Sequence, residues 1–349
     1  MKNSWMIYGA YGYTGELLSE EAVRRGYKPI LGGRSAEKLS TLANRLNLDQ
    51  VVIDLKDGQP LINILNDVDL ILNAAGPFKY TNEPMVKACL KTGTNYLDIT
   101  GEIPIFEHNF KYDDQAKTQE IAIISGVGFD VVPTDCMAKY ISDKVSNASE
   151  LEIGIVGIGN PSQGTLKTML EYLSDGRLIR RNGELIRYGK SNGPRTIHFP
   201  DKERNLIPVS WGDLSTGYRT TGIPNITTYM PFSKAMTSMI KGSKTKNDEN
   251  WKNNINRLRS WIEKNVHNPD EEARMKGHSY IWAQASNDNG EKKEAWLETM
   301  EGYRFTSISG IKTVEKVFEL EPKGALTPAL AFGEDFILEF PETKRYDSI

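Results

Sequence analysis

Three glycines near the start of the chain have the spacing of a phosphate-binding turn. They are Gly9, Gly12 and Gly15, in the stretch MIYGAYGYTG at residues 6–15. An apolar run precedes them and an amphipathic run with helical spacing follows, so the pattern predicts a strand, a tight turn and a helix. Such a turn lets backbone N–H groups approach a pyrophosphate, and the N-terminus of the helix adds partial positive charge. The alternative is a glycine-rich turn that binds nothing.

The end of the second predicted strand indicates which dinucleotide the turn would hold. The sequence there is GGRSAEKL, with Arg34, Ser35 and Lys38 where an NAD site usually has an Asp or Glu for the ribose 2′-hydroxyl. A guanidinium and a hydroxyl suit a 2′-phosphate, which a carboxylate would repel. The sequence therefore predicts NADP(H) rather than NAD(H). The alternative is that Arg34 and Ser35 only begin the next helix, as a solvated cap.

Two further strand ends complete the predicted cofactor site. Asp54 follows the third strand, where it would either reach the adenine edge or serve as a turn residue. The fourth strand runs into NAAGPF at residues 73–78, whose small residues would let the ribose and nicotinamide pass close to the backbone. An ordinary exit from strand to loop is the alternative. The predicted cofactor-binding residues are Gly9, Tyr11, Gly12, Tyr13, Thr14, Gly15, Arg34, Ser35, Lys38, Asp54, Ala75, Gly76, Pro77 and Phe78.

The order of elements predicts an α/β fold with two domains. Up to about residue 125, short apolar runs alternate with helical patterns, which is typical of a doubly wound parallel sheet covered on both faces. After about residue 128 strands follow one another with few regular helices. One pair flanks N-D-N-G at 287–290, which predicts a β-hairpin in an antiparallel sheet.

Composition narrows the class of protein. The 349 residues carry a net charge of −3, which gives no general attraction to nucleic acid. Two cysteines, no leader-like apolar segment and no apolar run of about 20 residues predict a cytoplasmic protein without a transmembrane segment. The four histidines lack metal-ligand spacing, so no metal is predicted. A small molecule is the expected substrate.

Six stretches, taken together, resemble the saccharopine dehydrogenase-like oxidoreductases, and most of all the branch with the trans-acting enoyl reductases. These stretches run from near the first residues to near the last, in the expected order. They are YGAYGYTG, GGRSAEKL, NAAGPF, YLDITGE (96–102), GFDVVPTD (128–135) and GALTPALAFG (324–333).

The resemblance implies a Rossmann-type doubly wound parallel sheet, an inserted α+β second domain and a C-terminal segment that returns to the first domain. The expected ranges are 1–130 for the NADP-binding domain, 131–310 for the substrate and dimerisation domain, and 311–349 for the returning segment. The resemblance also implies a homodimer. Family members act on C=N, C=C or carbonyl-type bonds, and the branch implies an NADP(H)-dependent reductase.

A reductase also needs a proton donor, because the cofactor supplies only the hydride. Tyr80, next to NAAGPF, and Asp98, in YLDITGE, are the first choices, with Lys79 as another candidate. Glu102, Asp130 and Asp135 are further carboxylates at strand or loop ends. Asp98 could instead hydrogen-bond loop backbone, and Asp135 could cap the helix that follows Pro133.

Residues 223–241 form an apolar stretch rich in Met and aromatic residues, with Lys241, Lys244 and Lys246 at its end. It would be a flap over a lipophilic, acyl-type substrate, a patch that touches a membrane surface, or ordinary packing within the domain or a dimer. Two other functions stay open. One is a non-catalytic NADP(H)-binding redox sensor or membrane-associated scaffold. The other is an imine-reducing amino-acid dehydrogenase, with Arg177, Arg180 and Arg181 as candidates to bind substrate carboxylates.

Overall fold

The computed structural model describes residues 3–56, 58–157, 162–166, 178–188, 193–231 and 249–349. Part of the apolar stretch predicted at 223–241 lies outside these residues, as do Arg177 and the lysines at 241, 244 and 246. In the described part, no helix is both long and apolar enough to cross a bilayer.

Sixteen strands and twelve α-helices are bounded in the described residues. The strands are β1 (Trp5–Tyr8), β2 (Ile30–Gly33), β3 (Gln50–Val52), β4 (Leu70–Asn73), β5 (Asn95–Asp98), β6 (Ala122–Ile124), β7 (Glu150–Val156), β8 (Leu178–Arg181), β9 (Glu184–Arg187), β10 (Arg195–His198), β11 (Glu203–Val209), β12 (Asn225–Pro231), β13 (His278–Ser286), β14 (Lys292–Met300), β15 (Gly324–Leu326) and β16 (Lys344–Tyr346). The helices are α1 (Tyr13–Arg24), α2 (Ala36–Leu46), α3 (Gly58–Leu65), α4 (Phe78–Thr92), α5 (Ile103–Asn109), α6 (Asp113–Thr118), α7 (Val132–Ser142), α8 (Asp213–Thr221), α9 (Glu249–Asn265), α10 (Glu271–Lys276), α11 (Gly302–Leu320) and α12 (Pro328–Phe332). Two 3₁₀ helices lie at Phe110–Tyr112 and Glu334–Glu339.

The first sheet is fully parallel, as the sequence predicts. Its order is β15–β6–β5–β4–β1–β2–β3, with β1 paired to both β2 and β4. The inner strands β1 and β4 are buried along their length because helices cover both faces, while the edge strand β3 is largely exposed. Between β1 and β4 the chain connections leave in opposite directions, which opens the crevice where doubly wound sheets bind ligands. We call the loops that follow β1, β2, β4, β5 and β6 the carboxyl edge.

The second sheet is mixed and has nine strands. Its main path is β10–β11–β12–β7–β13–β14–β16, with β8 and β9 attached beside β12. The predicted hairpin is present: β13 and β14 pair antiparallel on either side of residues 287–291, where Gly290 has a φ of +85°. α7 packs on this sheet through an apolar cluster that includes Met137, Ile153 and Ile281.

The C-terminal part returns to the first sheet and then leaves it again. α11 lies against α1, where a Cβ at Gly310 would come within 2.5 Å of Leu18 Cδ2, and β15 adds a parallel strand beside β6. β16, however, pairs with β14 of the second sheet. The expectation that 311–349 returns as a whole to the first domain is therefore wrong for its last residues. α11 also begins at Gly302, before the predicted boundary at 310.

Candidate functional site

The glycine turn between β1 and α1 is shaped for close backbone approach. Gly9 has a φ of +82°, and a Cβ there would lie 2.8 Å from the backbone nitrogen of Ala75, in the loop after β4. A Cβ at Gly15 would lie 2.2 Å from the carbonyl oxygen of Gly9. Gly12 is the N-cap of α1, and no described side chain caps this end. The first N–H groups of α1 therefore have no side-chain acceptor in the described residues, and uncapped N–H groups at a helix start suit a pyrophosphate.

Tyr11 and Ser35 organise the end of β2. The ring of Tyr11 lies on Gly33, where a Cβ would be 2.5 Å from its Cε1 atom, and its hydroxyl accepts a hydrogen bond from the Ser35 N–H (3.3 Å). Ser35 Oγ accepts from the N–H of Lys38 (3.5 Å) and so caps α2, as the alternative interpretation expects. Arg34 is exposed, and no described carboxylate pairs with it. This cation at the carboxyl edge is therefore available to a phosphate.

The loop after β4 is held in place by Asn73 and Glu102. Asn73 Oδ1 accepts from the N–H of Ala75 (3.0 Å), and Glu102 accepts from the N–H groups of Phe78 (2.8 Å) and Lys79 (3.2 Å) at the start of α4. The Gly76–Pro77 peptide is cis. Phe78 is buried, which weighs against a contact of its side chain with the cofactor, and that role stays a prediction. Gly76 and Pro77 remain at the surface of the loop.

Three further predicted cofactor residues, Asp54, Thr14 and Tyr13, differ in their positions and in their hydrogen bonds within the protein. Asp54 is exposed and accepts from the N–H of Lys56 (3.1 Å), which is the turn role considered for it. Thr14 is part of the first turn of α1. Tyr13 instead connects to the chain that follows α9: its hydroxyl donates to the carbonyl of Pro269 (2.7 Å) and accepts from Arg274 (3.2 Å). Its hydroxyl is thus used within the protein, and only its N–H faces the crevice as part of α1.

Asp98, the other first choice as proton donor, is held by hydrogen bonds within the protein. It is fully buried, and its carboxylate accepts from the N–H groups of Thr100 and Gly126 (both 3.0 Å) and from Ser125 Oγ (2.9 Å). Asn82 lies 3.4 Å away and also bonds Tyr96. These contacts fasten the loops after β5 and β6 to each other. The burial of this carboxylate and its occupied oxygens weigh against the proton-donor role of Asp98, which stays a prediction.

Tyr80 lies at the surface, on the first turn of α4. Its side chain is 65% exposed, and the ammonium of Lys79 lies 4.7 Å from the centre of its ring. The proton-donor role of Tyr80 stays a prediction.

The two carboxylates of GFDVVPTD, Asp130 and Asp135, differ in their burial and in their hydrogen bonds. Asp135 is buried within α7 and accepts from Thr220 Oγ1 and from the N–H of Ala329 (2.8 Å). It therefore caps the N-terminus of α12, not that of its own helix. Asp130 lies in the loop between β6 and α7, partly accessible, and Trp211 Nε1 donates to its carbonyl oxygen (3.1 Å). The sequence indicates Asp130 only as one of several candidate carboxylates. It gives no signal for Trp211, because no local pattern predicts a contact between residues so far apart in the chain.

The buried carboxyls make the stability of the fold depend on pH. Burial raises the pKa of Asp135 from 3.8 to about 6. The resulting stabilisation of the fold is fully present below about pH 4. It declines between about pH 4 and 6, where the unfolded chain has released the proton and the folded state still holds it, and it is lost once the pH has risen through 6. We expect the free energy of unfolding of the wild type, relative to Asp135→Asn, to be larger at pH 5 than at pH 7.5. Urea denaturation of both proteins at the two pH values measures this difference in the free energy of unfolding. A difference that increases with pH would contradict a raised pKa of Asp135.

Comparison with known proteins agrees with this geometry. Residues 5–124 match the family model described as saccharopine dehydrogenase NADP binding domain. A Bos taurus protein named saccharopine dehydrogenase-like oxidoreductase is 29% identical over 163 residues, which cover 40% of this chain and 38% of that protein. The trans-acting enoyl reductase of Mycobacterium ulcerans (strain Agy99) is 30% identical over 144 residues, 39% of this chain and 34% of that protein. The match thus spans well under half of either relative.

A solved structure shares the whole fold. Apo saccharopine dehydrogenase (L-Glu forming) from Saccharomyces cerevisiae superposes with a TM-score of 0.66 over 99% of this chain and 100% of that one, at 10% identity. This likeness shows the fold alone. Both of these relatives carry the names of oxidoreductases, the class predicted from the sequence, and the NADP(H) prediction agrees with the description of the family model. Residues 5–124 thus match a saccharopine dehydrogenase NADP-binding domain, the part of the family to which the sequence resemblance points.

Proposed function

We propose that the chain is an NADP(H)-dependent reductase that transfers a hydride to an unsaturated, lipophilic substrate of the acyl type. The observation that carries the cofactor choice is the end of β2, where Arg34 is exposed and has no carboxylate partner among the described residues. With the glycine turn it would hold the two charged parts of NADPH: backbone N–H groups of α1 for the pyrophosphate, Arg34 and Ser35 for the 2′-phosphate. Bound NADPH would supply the hydride.

The substrate class follows in part from which arginines are already engaged. Arg180 is buried and donates to the carbonyls of Leu214 and Gly183 and to Glu107, while Arg181 pairs with Glu150 at 3.3 Å. Neither is then available for the carboxylates of an amino-acid substrate, which weighs against the amino-acid dehydrogenase. The trans-acting enoyl reductase among the relatives supports an enoyl substrate instead. A homodimer in solution and contact with a membrane surface belong to the same proposal.

Removing Arg34 tests the cofactor assignment. In Arg34→Ala we expect NADPH to bind roughly 10- to 100-fold more weakly, because a hydrogen bond to a charged group contributes about 1.5–3 kcal/mol. NADH, which lacks the 2′-phosphate, should bind as before. Fluorescence titrations of both nucleotides measure the two affinities.

Lys28→Ala is the matched control, since Lys28 is an exposed cation just before β2, at the opposite edge of the same sheet. It should leave both affinities unchanged. If Arg34→Ala weakens NADPH and NADH equally, or neither, the 2′-phosphate assignment is wrong. Oxidation of NADPH with trans-2-decenoyl-N-acetylcysteamine then tests the reaction: tight NADPH binding without turnover on enoyl or imine probes would favour the redox sensor or scaffold.

A further inference from the structure

The loops of the carboxyl edge place Asp130 beside the half of the crevice that would hold the nicotinamide. In a doubly wound sheet the adenosine half lies over the first three strands, here next to Arg34, and the nicotinamide half over the following strands. Gly9 and Ala75 join the loops after β1 and β4, and Glu102 joins the loop after β5 to the start of α4. The next contact along this edge is between Gly101 and Asp130.

The fit between Gly101 and Asp130 is close. A Cβ at residue 101 would lie 3.0 Å from Asp130 Oδ2 and 3.3 Å from its Cβ, so the carboxylate occupies space that only glycine leaves open. On the other side, the indole of Trp211 fixes the backbone of Asp130 through a hydrogen bond to its carbonyl oxygen (3.1 Å). The side chain is thus positioned by packing and by its backbone.

Asp130 also differs from the other carboxylates at this edge in having its oxygens available. Asp98 accepts from three neighbours, Glu102 caps α4, and Asp135 caps α12. To the Asp130 carboxylate, no group in the described part of the chain donates a hydrogen bond, and none forms an ion pair with it. Because Asp130 is also partly accessible, its carboxylate oxygens can meet a ligand that enters the crevice.

We propose that the Asp130 carboxyl is the proton donor of the reductase, which makes it a catalytic residue. This rests on the proposed function. One atom of the substrate double bond receives the hydride, and the other takes the proton from the Asp130 carboxyl. The electron pair of the broken O–H bond stays on the carboxylate, which then takes a proton from water. Overall, the double bond gains two hydrogen atoms, and NADPH and one proton are consumed.

The protonation state suits this role. Desolvation by the surrounding protein raises the pKa of Asp130 from 3.8 to about 6, so about half of the carboxyl carries a proton near pH 6. The Asp213 carboxyl on α8 and the Tyr303 hydroxyl on α11 are the titratable groups that interact electrostatically with Asp130. Burial holds the pKa of Asp213 well above its usual range. Tyr303 accepts from the N–H of Ser162 (2.6 Å), and burial raises its pKa too.

Asp130→Asn tests the proposal with two kinds of readout, and Asp143→Asn, an exposed aspartate at the end of α7, is the control. The first readout needs no substrate: dicyclohexylcarbodiimide, which reacts with protonated carboxyls in apolar surroundings, should label Asp130 at pH 6, and NADPH should protect it. The second is turnover of trans-2-decenoyl-N-acetylcysteamine. Asp130→Asn should lower kcat about 10²- to 10⁴-fold, with the NADPH Kd within twofold, and remove the limb of the pH profile near 6. Asp143→Asn should change neither readout.

Three results would overturn it. They are an unchanged kcat in Asp130→Asn, loss of turnover in Tyr80→Phe but not in Asp130→Asn, or labelling of Asp130 that saturating NADPH does not reduce. The test separates this proposal from the proposed function. If the wild type binds NADPH but turns over no enoyl probe, the reaction assignment fails, while protection of Asp130 still decides whether it lies at the cofactor. Urea denaturation of each variant confirms that it is folded.

Discussion

Replacing Gly15 with alanine should both destabilise the first domain and abolish NADPH binding. The added Cβ would lie 2.2 Å from the carbonyl oxygen of Gly9, 2.9 Å from its carbonyl carbon and 3.0 Å from that of Ala10. All three are backbone atoms, which no change of rotamer can move aside. α1 would have to shift away from β1, and its N–H groups would shift with it. We expect a loss of about 3 kcal/mol in the free energy of unfolding, at the upper end for overpacking.

Gly217→Ala is the matched control for this change. Gly217 is also inside a helix, α8, but a Cβ there would meet only side-chain atoms of Leu151 and Ile226, at 3.4 and 3.5 Å. Alanine in this open position should be neutral or raise the free energy of unfolding by about 0.5–1 kcal/mol. Urea denaturation and NADPH titration measure both variants. Wild-type NADPH affinity in Gly15→Ala would show that the turn does not hold the pyrophosphate.

The second large effect is expected at Asp98, where alanine should lower the free energy of unfolding by about 3–5 kcal/mol. The change removes a fully buried carboxylate and leaves the N–H groups of Thr100 and Gly126 and the hydroxyl of Ser125 without their acceptor. Each buried donor left unpaired costs about 1–3 kcal/mol. Since these residues shape the loops after β5 and β6, the NADPH affinity should fall as well.

Asp98→Asn separates the structural role from a catalytic one. The amide keeps one oxygen for the two backbone N–H groups and disturbs only the side facing Ser125, so the loss of stability should be smaller, about 1–2 kcal/mol. Urea denaturation of both variants gives the two values. A stable Asp98→Asn that binds NADPH normally but has lost turnover by two or more orders of magnitude would restore Asp98 as a proton donor.

The sequence predicts the first domain well because its signals are local. Apolar runs, the glycine spacing and Ser35 at the start of α2 each act within a few residues, and the parallel sheet follows from their alternation. α4 shows where this reasoning ends. Pro84 suggests a helix start at that residue, yet α4 begins at Phe78, because Glu102 from the next loop satisfies the N–H groups there. No local sequence pattern predicts a helix cap that is supplied by a residue of another loop.

The choice among the predicted proton donors meets a similar limit. In sequence, Asp98, Asp130 and Asp135 are equivalent acids at the ends of elements. Only tertiary contacts distinguish them. The loops after β5 and β6 surround Asp98, and Asp135 accepts a hydrogen bond from the start of α12. The contacts of Asp130 with Gly101 and Trp211, by contrast, leave its carboxylate oxygens available. The path of the last residues also depends on a contact between residues far apart in sequence, because the three residues of β16 pair with β14 of the second sheet.

A crystal structure of the chain with NADPH bound tests the central claim most directly. The account predicts the pyrophosphate against the N–H groups at the start of α1 and the 2′-phosphate within hydrogen-bond distance of Arg34. It also predicts the nicotinamide over the loops after β4 to β6, with C4 facing the space beside Asp130. A 2′-phosphate that touches neither Arg34 nor Ser35, or a nicotinamide directed away from Asp130, would contradict it.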